Sequence, residues 1–204
     1  EPLAVDRPDQ RPEIEGFRKL VLELILSDHP NDCMTCEATG SCALQELAYT
    51  YGVKGQEYAG ERRVYAKRDG NPFIERDMEK CIMCGRCVKV CDEVQGVQAI
   101  DFTYRGFRSK ICPSYEDDLD CEFCGQCVSV CPTGALMERS AVSAVVAALS
   151  DPNSVVVAQI APAVPATLDQ ERARHQGVPL MLERLAAALK RIGFAAVFDT
   201  GFAA

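Results

Sequence analysis

The strongest constraint on this chain is a run of four cysteines that occurs twice. The first copy reads CIMCGRCVKVC at residues 81–91, and the second reads CEFCGQCVSVC at residues 121–131. Cysteine, glycine and valine agree position by position at an offset of 40 residues. An internal repeat of this kind has to be recognised before any other pattern, because it sets the organisation of the fold.

Each copy has the spacing C-x2-C-x2-C-x3-C, which is typical of ferredoxins that hold two iron–sulfur clusters. Three closely spaced cysteines can hold three irons of a cubane, while the fourth lies further along a helix and serves the other cluster. We therefore predict one [4Fe–4S] cluster on Cys81, Cys84, Cys87 and Cys131. We predict the second on Cys121, Cys124, Cys127 and Cys91.

Two glycines inside the copies are candidate cofactor-binding residues. Gly85 and Gly125 have no Cβ, so the backbone can approach the cluster sulfides there. Backbone N–H groups near the sulfurs would raise the reduction potential. The first copy departs from the ferredoxin pattern, because Asp92 stands where the second copy has Pro132. Cys112 lies alone between the copies, and we interpret it as a buried or free thiol.

A third group of metal-binding residues lies in DHPNDCMTCEATGSC, residues 28–42. Four donors fall within 14 residues and can wrap one compact metal centre: His29, Cys33, Cys36 and Cys42. Zinc accepts such a set. Its motifs usually come as two separated pairs, however, and the rest of the chain has iron–sulfur spacing. A structural disulfide is a poor alternative, because CxxC pairs suit a shared metal.

The segments around these motifs predict an α+β chain. Residues 1–12 read as a linker, and residues 13–27 as a helix with one apolar face: Ile14, Phe17, Leu20, Val21, Leu24 and Ile25. Residues 54–72 read as a surface connection with a solvated basic face: Arg62, Arg63, Lys67 and Arg68. Alternation at Ile100, Phe102 and Tyr104 predicts a strand.

The C-terminal part predicts a helix over 141–149 with Ser140 as its N-cap. A strand buried on both faces follows at 154–160, then an amphipathic helix at 179–192 ending at Gly193, then a second strand, FAAVF. This order begins an α/β domain. About 50 residues with two such strands are too few to close their own core.

Composition excludes some classes of protein. The net charge is -8, which argues against nucleic acid as a partner. No segment has the length of a membrane span. The N-terminal residues show no secretory signal. Thiolate iron–sulfur clusters are oxygen-labile, so we expect a reducing cytoplasm.

The order of the three motifs resembles the accessory iron–sulfur region of [FeFe]-hydrogenase large subunits, over residues 13–137. It is also similar to the N-terminal half of NAD-linked formate dehydrogenase large subunits, and it is related to complex I iron–sulfur subunits. VVVAQIAPAV and IGFAAVFDTGFAA resemble the opening of the hydrogenase catalytic domain.

The resemblance implies a third [4Fe–4S] cluster on the His29 motif, and so a relay of three. It implies electron transfer between ferredoxin or an NADH-oxidising flavin subunit and a site that reduces protons or oxidises hydrogen. No cysteine follows Cys131, so the cysteines of the catalytic H-cluster are missing and we predict no catalytic residue here. We interpret the chain as a piece of a longer protein or a subunit that another chain completes.

The predicted organisation is a linker at 1–12, a small helical domain at 13–72 with a cluster on one histidine and three cysteines, a two-cluster ferredoxin-like domain at 73–139, and the start of an α/β catalytic domain at 140–204.

Two alternative functions stay open at this point. One is the electron-transfer portion of a formate dehydrogenase or another electron-bifurcating complex. The other is a zinc-stabilised interaction module without redox activity.

Overall fold

The computed structural model describes residues 12–55, 58, 60–65, 70–116, 118–173 and 181–202. The chain divides into two compact units, Glu1–Arg139 and Ser140–Ala204. Both combine helices with small sheets. The predicted linker lies outside the described residues except for Pro12, as do Lys67, Arg68 and the first residues of the helix predicted from 179. No described helix is both long and apolar enough to cross a bilayer.

The first unit contains helices α1 (Pro12–Asp28), α2 (Ala43–Thr50), α3 (Arg86–Lys89) and α4 (Gln126–Val130). Its strands are β1 (Ile74–Arg76), β2 (Asp101–Thr103), β3 (Lys110–Cys112) and β4 (Leu136–Glu138). Short 3-10 turns lie at Met78–Lys80, Gly106–Arg108 and Ser114–Glu116, and a π-helical turn at Val90–Val94. β1 pairs antiparallel with β4, and β2 with β3.

These two ribbons bring the cysteine copies together. β1 precedes the first copy and β4 follows the second, and Ile74 lies opposite Glu138 in their ladder. The β2–β3 ribbon connects the copies and places Phe102 opposite Ile111. The predicted strand around Phe102 is therefore confirmed, although it is only three residues long. The predicted free thiol Cys112 is buried on β3, with its Sγ 3.0 Å from Thr103 Oγ1.

The main core of the first unit lies between the two cysteine copies. Its buried residues are Ile74, Cys87, Ile100, Ile111, Leu119 and Leu136. Further cysteines from both copies pack around this core, among them Cys81, Cys91, Cys121, Cys127 and Cys131. A smaller core joins α1 to α2 through Leu22, Leu26, Leu44 and Val53. Neither core holds a side chain that is completely buried, among the residues that the structure describes.

The apolar face predicted for α1 is wrong. The helix buries Leu22 and Leu26, whereas Phe17 is 67% exposed and Val21 54% exposed. The reason is that α1 packs on Leu44 of α2 and on Val53, which meet the Leu22 stripe. The helix ends at Asp28, two residues before Pro30, because a residue that precedes proline disfavours helical geometry. This ending places His29 just beyond the last turn.

The solvated basic face predicted around Arg62 and Arg63 is also wrong for these two residues. Arg63 forms an ion pair with Asp28 at the end of α1, and its guanidinium donates to the carbonyl oxygen of Cys81 at 3.3 Å. Arg62 Nε is buried. The segment thus ties the end of α1 to the first cysteine copy instead of running free over the surface.

The second unit contains α5 (Val142–Ser150), β5 (Val157–Ile160), α6 (Ala163–Ala173), α7 (Met181–Ile192) and β6 (Ala196–Asp199), followed by a 3-10 turn at Thr200–Phe202. β5 and β6 are parallel, with Val157 opposite Ala196. The predicted strand–helix–strand order is confirmed, and α6 is an additional helix that the sequence did not reveal. Gly193 ends α7, since its N–H and that of Phe194 both donate to Leu189 O at 3.2 Å.

Two details of this unit differ from the prediction. The first strand is not buried on both faces: Val155 is 80% exposed and only Ile160 of β5 is buried. Its single described neighbour is β6, so no second layer covers its valines. The N-cap of α5 is Ala141 rather than Ser140, although Ser140 Oγ accepts the N–H of Val142 at 3.4 Å.

Truncating Ile111, which is buried in the main core, tests this architecture. We expect Ile111→Ala to destabilise the chain by about 2–5 kcal/mol, because a cavity remains where the side chain packed. Denaturant unfolding under anaerobic conditions measures the change. Val64→Ala is the control, since Val64 is exposed and should change stability by less than about 0.5 kcal/mol. Equal effects of the two substitutions would contradict the packing described here.

Candidate metal centres

Both cysteine copies begin with the same irregular turn. The residue before the second cysteine has a left-handed backbone in each copy, Met83 with φ 57° and Phe123 with φ 51°. Gly85 and Gly125 are also left-handed, with φ 71° and 73°, and each caps the helix that follows. Such a conformation favours glycine, and it curls the backbone around the first three cysteines. The Met83 N–H donates to Cys81 Sγ at 3.4 Å.

The fourth cysteine of each copy lies beyond the helix that the turn starts. Cys91 is inside the π-helical turn Val90–Val94, and Cys131 directly follows α4. The N–H of Ala99 donates to Cys91 Sγ at 3.4 Å. Backbone donors to sulfur are the contacts that stabilise a thiolate, because they place positive dipoles on it.

The two copies exchange their fourth cysteines. One cavity is lined by the set that we name the Cys81 group: Cys81, Cys84, Cys87 and Cys131. A separate cavity is lined by the Cys121 group: Cys121, Cys124, Cys127 and Cys91. Core residues complete both linings, Ile111 and Leu136 in the first and Ile100 and Leu119 in the second. The grouping in space is the one that the spacing predicted, although ligation itself stays a prediction.

Burial changes the acid–base chemistry of these cysteines. Burial raises the pKa of Cys87 to about 12 and that of Cys127 to about 11, with smaller contributions from neighbouring cysteines. A bare thiolate is therefore unfavourable in either cavity at neutral pH. A bound metal would supply the missing positive charge, and its binding would release protons. The cavities thus suit a metal centre better than free thiolate chemistry.

The His29 group, defined as His29, Cys33, Cys36 and Cys42, starts where α1 ends. His29 is 8% exposed, and its Nδ1 lies 2.8 Å from the carbonyl oxygen of Pro30. A carbonyl can only accept, so Nδ1 carries the proton and the buried Nε2 keeps its lone pair. Burial also lowers the pKa of His29, which keeps the ring neutral. Metal-binding histidines are usually held in this way.

The three cysteines of the His29 group lie near one another. The pKa of Cys33 is raised by burial and then by the proximity of Cys42 and Cys36. Lys80 interacts electrostatically with both Cys36 and His29 and so connects the histidine with the cysteines. The donors are soft sulfur and neutral imidazole, which fit iron–sulfur ligation as well as zinc. Within the described ranges, no three His, Cys, Asp or Glu side chains converge tightly enough for a single metal ion.

The segment after Cys131 brings the His29 group against the Cys81 group. Pro132 O accepts the N–H of Ala43 at 3.0 Å and lies 3.6 Å from Cys42 Sγ. A Cβ on Gly134 would lie 3.0 Å from Cys36 Sγ and 3.2 Å from Ala38 Cβ. Glycine is therefore needed at position 134 for this close approach.

Sequence reasoning missed the positions of Gly134 and Lys80. Gly134 is part of CPTGAL, directly after the second copy, but no spacing in the sequence relates it to Cys36. Lys80 immediately precedes Cys81 and looks like an ordinary surface lysine, yet its side chain is 13% exposed. Both approach the His29 group through the tertiary fold, so neither contact leaves a local pattern.

Three family models match successive parts of the chain. Residues 18–57 match the NADH-ubiquinone oxidoreductase-G iron–sulfur binding region. Residues 71–137, which include both cysteine copies, match the ferredoxin-like domain of NADH-quinone oxidoreductase subunit 3. Both of these models describe iron–sulfur domains of NADH-quinone oxidoreductases. Residues 154–204 match the C-terminal domain of the iron-only hydrogenase large subunit.

The chain is similar to subunits of a hydrogenase and of NADH- and NADPH-linked oxidoreductases. The NADP-reducing hydrogenase subunit HndD of Solidesulfovibrio fructosivorans is 45% identical over 190 residues, 92% of this chain and 32% of that protein. The NADPH-Fe(3+) oxidoreductase subunit alpha of Geobacter sulfurreducens is 40% identical over 130 residues, 64% of this chain and 15% of that protein. The G 2 subunit of NADH-quinone oxidoreductase from Rhizobium meliloti is 37% identical over 129 residues, 62% and 15% of the two chains. The chain thus spans a third or less of these relatives.

A solved structure agrees with these matches. The crystal structure of an NAD+-reducing [NiFe]-hydrogenase in the H2-reduced state has a TM-score of 0.59 to this chain and 25% identity, covering 65% of this chain and 58% of that one. The resemblance seen in the sequence is confirmed for the iron–sulfur regions. The β1–β4 and β2–β3 ribbons, α3 and α4 fall almost entirely within the residues that match the ferredoxin-like domain. The chain is an iron–sulfur electron-transfer module.

The exchange of fourth cysteines gives a selective prediction. Cys131→Ala should impair the cluster of the first copy, and Cys91→Ala that of the second, because each residue lines the other copy's cavity. The matched controls are the single variants Cys84→Ala for Cys131→Ala and Cys124→Ala for Cys91→Ala. EPR of the reduced chain should show that Cys131→Ala and Cys84→Ala lose the same signal. If Cys131→Ala instead loses the signal that Cys124→Ala loses, the exchange is wrong.

The contact between Gly134 and Cys36 gives a second prediction. Gly134→Ala should displace Cys36 and lower metal retention by the His29 group, because the added Cβ would approach the sulfur to 3.0 Å. Iron analysis and EPR after anaerobic purification measure the loss. Gly16→Ala is the control, because Gly16 is not left-handed and nothing lies within 4 Å of the added atom. A full iron content in Gly134→Ala would contradict the close approach of residue 134 to Cys36 Sγ.

Proposed function

We propose that the chain holds three [4Fe–4S] clusters, on the His29, Cys81 and Cys121 groups, and forms the electron relay of a hydrogenase-like, NAD(P)H-linked oxidoreductase. The observation that carries the proposal is the exchange of Cys91 and Cys131 between the two cavities. In two-cluster ferredoxins with this cysteine spacing, each cubane takes three cysteines from one copy and the fourth from the other. The two cavities divide the cysteines in the same way.

When bound, each cluster accepts and releases one electron at a potential that its surroundings set. The chain's own residues supply those surroundings. Apolar side chains line both ferredoxin-like cavities and exclude water, among them Ile100, Ile111, Leu119 and Leu136. Backbone N–H groups donate to the sulfurs of Cys81 and Cys91. His29 replaces one thiolate by a neutral ring, which removes a negative charge from its group.

The arrangement of the three groups supports a relay with the His29 group at one end. The segment from Cys131 to Gly134 contacts both the His29 group and the Cys81 group. The Cys81 and Cys121 groups surround one shared core. The predicted domains, one at 13–72 for the His29 group and a ferredoxin-like one at 73–139, follow this division of ligands. Gly85 and Gly125 would keep the backbone close to the clusters on the Cys81 group and the Cys121 group.

The second unit supports the proposal that the relay serves a catalytic domain. Residues 154–204 match the hydrogenase domain, and Val155 and Val157 are exposed where further strands and helices of such a domain would cover them. We infer that the site which reduces protons or oxidises hydrogen lies outside this chain. The electron partner is ferredoxin or an NADH-oxidising flavin subunit, and the compartment is a reducing cytoplasm. The names of the relatives support a nicotinamide-linked partner.

Two other functions are less well supported. A formate dehydrogenase would share the relay, but the match of residues 154–204 favours hydrogenase-type chemistry. A zinc-stabilised interaction module is less well supported, because the C-x2-C-x2-C-x3-C spacing with an exchanged fourth cysteine is that of two-cluster ferredoxins. Zinc remains an alternative only for the His29 group, since one histidine and three cysteines suit either metal.

Metal content tests the proposal directly. We expect about twelve irons and as many sulfides in the anaerobically prepared chain, because three cubanes hold four of each. A Cys42→Ala variant should retain about eight irons and lose one reduced-state EPR signal. About eight irons with one zinc in the unmodified chain would leave the ferredoxin-like pair intact but end the relay at two clusters. Colourless zinc-loaded protein would contradict electron transfer altogether.

A further inference from the structure

Lys80 occupies an unusual place between two of the donor groups. It directly precedes Cys81, and its carbonyl oxygen accepts a hydrogen bond from the hydroxyl of Thr133 at 2.9 Å. Its backbone therefore lies beside the Cys81 group. Its side chain runs the other way, toward the His29 group. A Cβ on Gly134 would lie 3.5 Å from Lys80 Cδ and 3.0 Å from Cys36 Sγ. The lysine chain and the cysteine sulfur therefore flank the same point.

Two carboxylates hold the ammonium group in this position. Lys80 Nζ lies 3.4 Å from Asp77 Oδ2 and 3.5 Å from Asp32 Oδ2. Asp77 is nearly as buried as Lys80, with 12% and 13% of their side chains exposed. Asp32 immediately precedes Cys33, a member of the His29 group. Because water is largely excluded, the charge is poorly screened and acts on its surroundings more strongly than a surface lysine does.

We propose that Lys80 is a positioning residue whose fixed positive charge raises the reduction potential of the centre held by the His29 group. The inference rests on the proposed function, since it assigns a [4Fe–4S] cluster to that group. Reduction adds one negative charge to a centre that already has three thiolates, with the carboxylate of Asp32 next to Cys33. A cation beside Cys36 favours the reduced form, because opposite charges attract.

The charge would act on one centre more than on the others. The Lys80 side chain flanks Cys36, and one of its ion-pair partners, Asp32, immediately precedes Cys33. The neutral ring of His29 removes one negative charge from the same group. Both features favour the reduced form of that centre. The chain thereby distinguishes the potential of the His29 group from those of the two groups made of cysteines alone.

The test is an EPR-monitored redox titration of the full chain and its variants, prepared anaerobically. The signal of the His29 group is assigned as the one that Cys42→Ala loses. We expect Lys80→Met to lower the reduced-to-oxidised ratio of this centre about tenfold at a fixed potential, which is about 59 mV for one electron. Lys80→Arg keeps the charge and should stay within about twofold of the unmodified chain.

Two further variants separate this effect from structural damage and from a change in total charge. Lys89→Met removes a lysine that also pairs with a carboxylate, Glu93 at 3.6 Å, but whose side chain is 71% exposed, so screening should leave all three midpoints nearly unchanged. Lys80→Gln removes the same charge but keeps a polar side chain, so its midpoint should fall as that of Lys80→Met does. It carries the test where Lys80→Met does not assemble the centre.

The results distinguish the inference from the proposed function. Three clusters in the unmodified chain, with an unshifted midpoint in loaded Lys80→Met or Lys80→Gln, would overturn the role of Lys80 and leave the relay intact. Equal shifts of all three midpoints would overturn it as well. About eight irons with one zinc in the unmodified chain would reject the third cluster and, with it, any redox role for Lys80.

Discussion

The exchange of one cysteine between the two copies is the constraint on which the first unit depends. Neither cavity has four cysteines until the copies lie side by side, and the β1–β4 ribbon holds them there. The core residues between the copies are also the walls of the cavities. No described side chain is completely buried, so apolar packing alone makes a thin core. Because metal binding free energy is folding free energy in small metal domains, the clusters would be the main part of this core.

The grouping of the cysteines around the two cavities could be predicted because the information is local. Iron–sulfur ligation fixes the spacing of cysteines along a turn and a short helix, and that spacing repeats in the two copies. Left-handed positions at Gly85 and Gly125 are likewise a local need, which glycine meets. The helix boundary before Pro30 follows from proline chemistry at the adjacent residue. In each case the physical cause lies within a few residues of its effect.

Predictions that depended on tertiary partners failed or were missed. The Phe17 face of α1 has the correct period for a buried stripe, yet the contacts of α1 with Leu44 and Val53 bury Leu22 and Leu26 instead. Arg63 reads as a surface residue, but the end of α1 brings Asp28 beside it. β5 has the composition of a fully covered strand, although it has one described neighbour. Periodicity shows that a surface is apolar, whereas the fold decides what covers it.

The exchanged cysteines also impose an order on biosynthesis. The chain emerges from its N-terminus, so the His29 group is complete early, while the Cys81 group waits for Cys131. The Cys121 group has its outlying member, Cys91, in place before its first three cysteines are made. Both ferredoxin-like cavities are therefore finished within the same short stretch of translation, at the end of the second copy. Iron that reaches the nascent chain sooner would find a complete set of donors only at His29, Cys33, Cys36 and Cys42.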